Sequence, residues 1–391
     1  MSWMVPETKL EPEQREFLRR VGVDKRNFWV RGFAGSGKSV LLVHALLKEL
    51  ASNPGGRACV VVFTHSLIDM FKTGIPEELL CDPQTKTCHV PVMTYHEFRS
   101  DGRHFDLVLV DEVQDLPGDV LRLLRQRCSR LIVAGDEAQS IYDDGVPPDA
   151  IRELTAGEPY GLSIVHRLTQ KIIDIAQSIL PEKNLHTAKR ARLKNVDVVL
   201  AEAERRDIEF EWVWQQATLA AAPGAPVAVL FPRHELIVEF ADAVLVRAGA
   251  EPWEVQLNRY NKADYDDLNA TLEAAGVPAR YLGNRYGSLA EGDSEARVFL
   301  MTYHSAKGLD FETVFMPRLS SDTEIWRDDD ARAKTLLFVA LTRSRLNLFL
   351  SYTDVIHPLL SNLPKALVRR VTVSRDSLLA KSTAADEDLP F

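Results

Sequence analysis

The sequence predicts an α/β fold built as two parallel-sheet domains, and three observations predict it. Short, nearly all-apolar runs rich in β-branched residues alternate with helical patterns along most of the chain. A glycine-rich octapeptide, residues 32–39, stands between the first such run and the first long helical pattern. A later apolar run, residues 106–112, ends in two adjacent carboxylates.

In the first half the strand-like runs are 27–30, 58–64, 107–110 and 131–134, with helical patterns at 39–50 and 67–71. The second half repeats the style. Residues 196–201, 227–231, 298–303, 313–316 and 346–351 read as strands, and 206–221, 234–248 and 331–343 as helices. Residues 223–226 and 264–269 mark loops or helix starts. The expected domains are 1–162 and 163–373, followed by a polar, then acidic, flexible tail at 374–391.

Composition sets the outer limits. With 391 residues, 46% hydrophobic and 26% charged, the chain has the balance of a globular protein of two or three domains. A collagen-like, mucin-like or largely disordered protein is excluded. Apolar runs such as 60–63 fall far short of the roughly 20 residues that span a bilayer. The opening MSWMVPETKLEPEQ lacks the basic-then-apolar layout of a signal peptide. The expectation is a cytoplasmic protein without a membrane partner. Cys59, Cys81, Cys88 and Cys128 make no disulfide framework, and Cys81, Cys88 and His89 fit no usual zinc spacing. Net charge is −9, so any nucleic-acid contact must come from a local groove rather than from bulk potential.

Gly32-Phe33-Ala34-Gly35-Ser36-Gly37-Lys38-Ser39 fits the phosphate loop of the P-loop NTPases, in the strand-then-helix setting that motif requires. Backbone N–H groups at Gly35, Ser36 and Gly37 converge on phosphate oxygens, and the helix N-terminus adds positive potential. Lys38 is expected on the β- and γ-phosphates of ATP and Ser39 on Mg²⁺. Asp111 is the second expected Mg²⁺ ligand, and Glu112 polarises the attacking water. Together the two motifs point to nucleotide hydrolysis.

From Asp111-Glu112-Val113-Gln114-Asp115 onward the chain resembles the superfamily 1 DNA helicases of UvrD/Rep type. The resemblance implies two RecA-like domains with the nucleotide cleft between them. Gln14 resembles the glutamine that reads the adenine edge. Phe63-Thr64-His65 and Thr94-Tyr95-His96-Glu97-Phe98 resemble segments that touch single-stranded DNA. The run from Gly135 to Tyr142 resembles the third motif, in which Gln139 senses the γ-phosphate and Tyr142 offers a stacking face. His166-Arg167 resembles the Tyr-Arg pair, with His166 on adenine and Arg167 on the γ-phosphate. The run from Met301 to Phe311 resembles the fifth motif, with Thr302 and His304 toward DNA and Gly308 and Asp310 toward the nucleotide. Arg343 resembles the arginine finger of the sixth. The implied activity is an ATP hydrolase that translocates on single-stranded DNA.

Departures accompany the resemblance. Only twelve residues separate Phe98 from Asp111, where the family carries an inserted subdomain, and the stretch from Val227 to Val298 is short for the second one. The chain reads as a minimal form, two bare motor domains. Asp143-Asp144 replaces a Trp-Arg pair, and Asp310 stands where glutamate is common. These features suggest a second class, a motor or switch subunit of a larger DNA repair or phage-defence assembly. A small-molecule phosphotransferase leaves Gln139, Arg167 and Arg343 unexplained. Lys183, Lys189, Arg190, Arg192 and Lys194 either track phosphates or are a solvated face, and the helical pattern with Arg122, Arg125, Arg127 and Arg130 reads the same way. The ending Asp386-Glu387-Asp388-Leu389-Pro390-Phe391 resembles the tail of bacterial single-stranded DNA-binding proteins, which implies docking on proteins that read such tails.

Overall fold

The computed structural model describes residues 3–80, 90–136, 145–165, 168–181, 189–190 and 198–378. They form two units, one holding 3–165 with 189–190, the other 168–181 with 198–378.

In the first unit β1 (Phe28–Arg31), β2 (Ala58–Val62), β3 (Val92–Thr94), β4 (Phe105–Val110), β5 (Cys128–Gly135) and β6 (Glu158–Gly161) make one sheet in the order β3-β2-β4-β5-β1-β6. All its described pairings are parallel. Helix α1 (Pro12–Val23) leads into β1, and α2 (Lys38–Ser52), α3 (His65–Gly74), α4 (Tyr95–Ser100), α5 (Gly118–Gln126) and α6 (Pro148–Thr155) lie between successive strands. Two short strands, β7 (Ile164–Val165) and β8 (Lys189–Arg190), pair with each other.

In the second unit α7 (Gln170–Ile179) precedes β9 (Val198–Ala203), α8 (Arg206–Ala220), β10 (Val227–Phe231) and α9 (His234–Arg247). Then come α10 (Tyr265–Ala274), β11 (Ala279–Tyr281), α11 (Glu291–Ser294), β12 (Val298–Thr302) and β13 (Phe311–Met316). The last elements are α12 (Asp330–Leu341), β14 (Ser344–Thr353) and β15 (Val368–Val373). This sheet runs β11-β12-β10-β13-β14-β9-β15 and is again parallel throughout. Parallel strands are covered on both faces, which is why β2, β10 and β12 are buried at every position. Each buried Val, Leu, Ile or Phe there contributes roughly 1.5–3 kcal/mol.

Two expectations are corrected. Arg130 lies in β5, not on a helix face, and is 4% exposed. Its guanidinium ties β5 to the end of α1 through the carbonyls of Val21 and Asp24 (2.8 and 2.6 Å) and to α2 through Glu49 (2.7 Å). Residues 374–378, expected to begin the tail, are folded. Ser374 and Ser377 cap a final helical turn reciprocally, and Leu378 packs in the core of the second unit. Cys59 and Cys128 are buried free thiols. Among the described residues no helix is long and apolar enough to cross a membrane. Cys81, Cys88, His89, Gln139, Tyr142, Asp143, Asp144, His166, Arg167, Lys183, Arg192, Lys194 and the acidic end at 386–391 lie outside the described residues.

Candidate functional site

The phosphate loop leaves the C-terminal end of β1 and opens α2. Gly37 is its hinge. Its φ of +85° is in the left-handed region, and a Cβ there would stand 2.6 Å from Gln14 Nε2. Gln14 reaches this place because Glu11, Pro12 and Gln14 start α1 with a capping box. Its Oε1 accepts from Glu11 N (3.0 Å) and its Nε2 donates to Ser36 O (3.0 Å). One donor and one acceptor of the amide remain available. Lys38 Nζ folds back onto Gly32 O (2.9 Å) and Phe33 O (3.1 Å), which sets its ammonium against the loop. The buried Ser36 Oγ has no hydrogen-bond partner. No side chain caps α2 and its first turn holds no acid, so its N–H groups and about half a positive charge remain available to an anion.

Asp111 follows β4 and is buried. Ser39 Oγ donates to its Oδ2 at 2.5 Å, and Glu112 N to its Oδ1 at 3.0 Å. Burial first, then the neighbouring Glu112, push the Asp111 carboxyl up to about 6, against the pull of Ser39 and Lys38. Glu112 has a φ of +53°, a backbone strain of the kind that functional turns retain. Its Oε2 accepts from Gln114 Nε2 at 2.5 Å, and Gln114 Oε1 accepts from Asp136 N at 3.0 Å. Gln114 thus joins the strand ends of β4 and β5. Reading residues for charge misses this role; the signal available was its place inside Asp-Glu-Val-Gln-Asp.

Among the described residues no group of three His, Cys, Asp or Glu side chains encloses a metal. The hydroxyl of Ser39 beside the Asp111 carboxylate still fits Mg²⁺. This ion commonly takes one or two protein oxygens and completes its shell with phosphate and water.

The expected DNA-contacting residues of the first unit sit at the ends of β2 and β3. Phe63 stacks on Tyr95 (centroids 5.4 Å, 21°), and Tyr95 lies 3.9 Å from the exposed His96 ring. The three rings form a continuous platform, of which Tyr95 is the member not singled out from sequence. Thr94 is committed to structure: it caps α4 in a reciprocal box with Glu97. Thr64 Oγ1 makes no hydrogen bond.

In the second unit Thr302 ends β12 and its Oγ1 donates to Ser305 Oγ (2.9 Å). His304 packs 5.3 Å from Trp326, a contact across a sequence gap that no motif announces. Burial, then Lys307 and His234, push the His304 imidazole down to about 4. Gly308 and Asp310 close the same loop, with Asp310 Oδ2 3.6 Å from Arg345 Nε. Arg343 is 4% exposed. Its guanidinium donates to Val339 O (2.8 Å), Leu309 O (2.9 Å) and Thr342 Oγ1 (3.1 Å), all within its own unit.

Residues 28–196 match the viral superfamily 1 RNA helicase core domain, and residues 257–355 match the UvrD-like helicase C-terminal domain. Among solved structures, the Arterivirus nonstructural protein 10 helicase in complex with DNA is similar at 16% identity and a TM-score of 0.44, over 89% of this chain and 65% of that one. The crystal structure of Arterivirus nonstructural protein 10 (helicase) gives 15%, 0.43, 91% and 64%. The chain therefore spans a little under two thirds of the length of these solved chains. No curated protein matches it in sequence.

Proposed function

We propose that this chain, a superfamily 1 helicase core in both of its units, is an ATP-driven translocase on single-stranded DNA. One observation carries the reading. Lys38, Ser39, Asp111 and Glu112 gather at the strand ends of one parallel sheet, where α/β proteins bind ligands, beside an uncapped helix N-terminus.

In this reading Lys38 exchanges the carbonyls of Gly32 and Phe33 for the β- and γ-phosphates. The N–H groups of Gly35, Ser36 and Gly37 take further phosphate oxygens. Ser39 and Asp111 hold Mg²⁺, which neutralises phosphate charge when bound. Glu112, oriented by Gln114, accepts the proton of the attacking water. The unused donor and acceptor of Gln14 complement the N7 acceptor and amino donor of adenine, with His166 on the base. Gln139 senses the γ-phosphate, Arg167 and Arg343 meet its developing charge, and Gly308 and Asp310 border the nucleotide. On the strand side, Phe63, Thr64, Thr94 and His96 act from one unit, with Tyr142. Thr302 and His304 act from the other.

A second reading is a motor or switch subunit that works only inside a larger assembly. The inward hydrogen bonds of Arg343 favour it, since a partner would then have to release the finger. ATP turnover measured with and without single-stranded DNA separates the two. Strong stimulation supports the translocase. Turnover indifferent to any nucleic acid overturns it and leaves the assembly subunit.

A further inference from the structure

Between α9 and α10 the chain makes a small turn that no motif accounts for. Leu257 and Ala263 pair in antiparallel fashion across it, and Asp264 N donates to Gln256 O (2.8 Å). Asn258 organises the tip from inside. Its Oδ1 accepts from Tyr260 N (2.9 Å) and Lys262 N (3.2 Å), and its own N donates to Lys262 O (2.7 Å). Asn261 takes the left-handed φ of +59° that lets the chain reverse. The backbone is thus satisfied without help from the side chains of Arg259, Tyr260 and Lys262, which point away from the core.

Those three side chains are the unusual feature. Tyr260 is 67% exposed, so its ring contributes little to the core. The Arg259 guanidinium lies over that ring, 4.7 Å from its centroid. Among the described residues no carboxylate pairs with Arg259 or Lys262. An exposed ring under one guanidinium, with a second exposed cation, Lys262, on the same five-residue turn, matches a polyanion that also carries flat bases, even on a chain of net charge −9. An apolar protein surface would leave both cations desolvated and unpaired.

The turn is also wired to the fifth-motif loop. Asn258 Nδ2 donates to Tyr286 OH (2.9 Å), and Tyr286 packs edge-on to Tyr265. Tyr265 stacks on Tyr281 at 3.9 Å. Tyr281 ends β11, and its hydroxyl meets His234 Nε2 (3.0 Å). Gly283 then passes so close to Ser305 that a Cβ would lie 2.7 Å from its Oγ, and Ser305 holds Thr302. A continuous relay of contacts thus links this turn, beside the edge strand β11, to Thr302 at the end of the adjacent strand β12.

We propose that the turn at residues 258–262 is a second single-stranded nucleic-acid contact, with Tyr260 stacking on a base and Arg259 and Lys262 holding adjoining phosphates. This rests on the reading of the chain as a nucleic-acid motor. The test is binding of a fluorescein-labelled oligothymidylate to the full chain, followed by anisotropy over a range of salt. Tyr260→Ala should weaken binding on the order of 5- to 100-fold without changing the salt slope, and Tyr260→Phe should restore it. The double variant Arg259→Ala/Lys262→Ala should reduce the slope of log K against log salt by about 1.4. Parent-like affinity in Tyr260→Ala, together with a parent-like slope in the double variant, overturns the proposal. A parent chain that binds no strand at all overturns both this contact and the motor reading, so the two failures are told apart.

Discussion

Ser39 Oγ and Asp111 Oδ2 stand 2.5 Å apart, which joins the first turn of α2 to the end of β4 across the intervening strand β5. Two motifs separated by 72 positions in sequence thereby bring two hard oxygen atoms together, the pair proposed to hold Mg²⁺. Ser39→Ala removes one of the proposed Mg²⁺ ligands and the hydrogen bond that favours the ionised form of Asp111. The Mg²⁺ concentration at half-saturation of nucleotide binding should rise about tenfold or more, in line with losses seen when metal-site partners are removed. Fluorescent-nucleotide titration over Mg²⁺ checks this, and an unchanged midpoint removes Ser39 from the metal site.

Arg343 donates hydrogen bonds to Val339, Leu309 and Thr342, and acting as a finger requires it to leave at least Leu309 O. Arg343→Ala should lower ATP turnover by about 10³-fold or more while nucleotide affinity stays within a few-fold. Steady-state hydrolysis and equilibrium nucleotide binding, measured on the same preparation, give both quantities. Normal turnover would show that another arginine serves the γ-phosphate.

Burial is the largest cause of the lowered His304 value of about 4, so the folded state binds a proton less readily than the unfolded chain, where the value is near 6.5. Its contribution to stability is complete above about pH 6.5 and is lost as pH falls toward 4. His234 and His357 shift in the same direction, both first through burial. The urea midpoint should therefore drop between pH 6.5 and 4.5, and His304→Gln should flatten part of that drop. Equal slopes for parent and variant would place His304 in solvent.

Glu209 and Arg318 form a buried pair in the second unit. Glu209 Oε1 accepts from Arg318 N (2.7 Å) and Ser351 Oγ (2.8 Å), and Arg318 Nη1 lies 3.5 Å from Oε2. Burial pushes the Glu209 carboxyl up even so. Arg318→Ala leaves that carboxyl without its guanidinium and should cost about 3–5 kcal/mol. Adding Glu209→Gln should recover part of the loss. Denaturant unfolding of the two single variants and the double variant measures the coupling, and strict additivity would show the pair does not interact.

The strands legible in the sequence are the central ones of each sheet: β2, β4, β5 and β1 in one, β12, β10, β13, β14 and β9 in the other. Each is covered on both faces and so is written in nearly unbroken apolar residues. Within these two sheets the strands missed, β3, β6, β11 and β15, are the four edges; the two-residue pair β7 and β8, too short for any apolar run, was missed as well. Three residues suffice for β3 and β11, β6 contains Pro159, and β15 carries Arg369 and Arg370. An edge strand needs only one neighbour, so it tolerates proline, charge and brevity, and no apolar run betrays it.

The local chemistry of the phosphate loop was determined by sequence alone, because glycine freedom, a lysine and a hydroxyl act within one turn of backbone. The same holds for the carboxylates after β4, whose apolar strand and acidic end are contiguous. Only the tertiary structure decided which groups serve those residues. Gln14 lies against Gly37, Gln114 bridges Glu112 to Asp136, Trp326 covers His304, and Arg343 turns toward its own helix. These contacts are chosen by packing between segments distant in the chain, and local sequence patterns do not encode which distant side chain arrives.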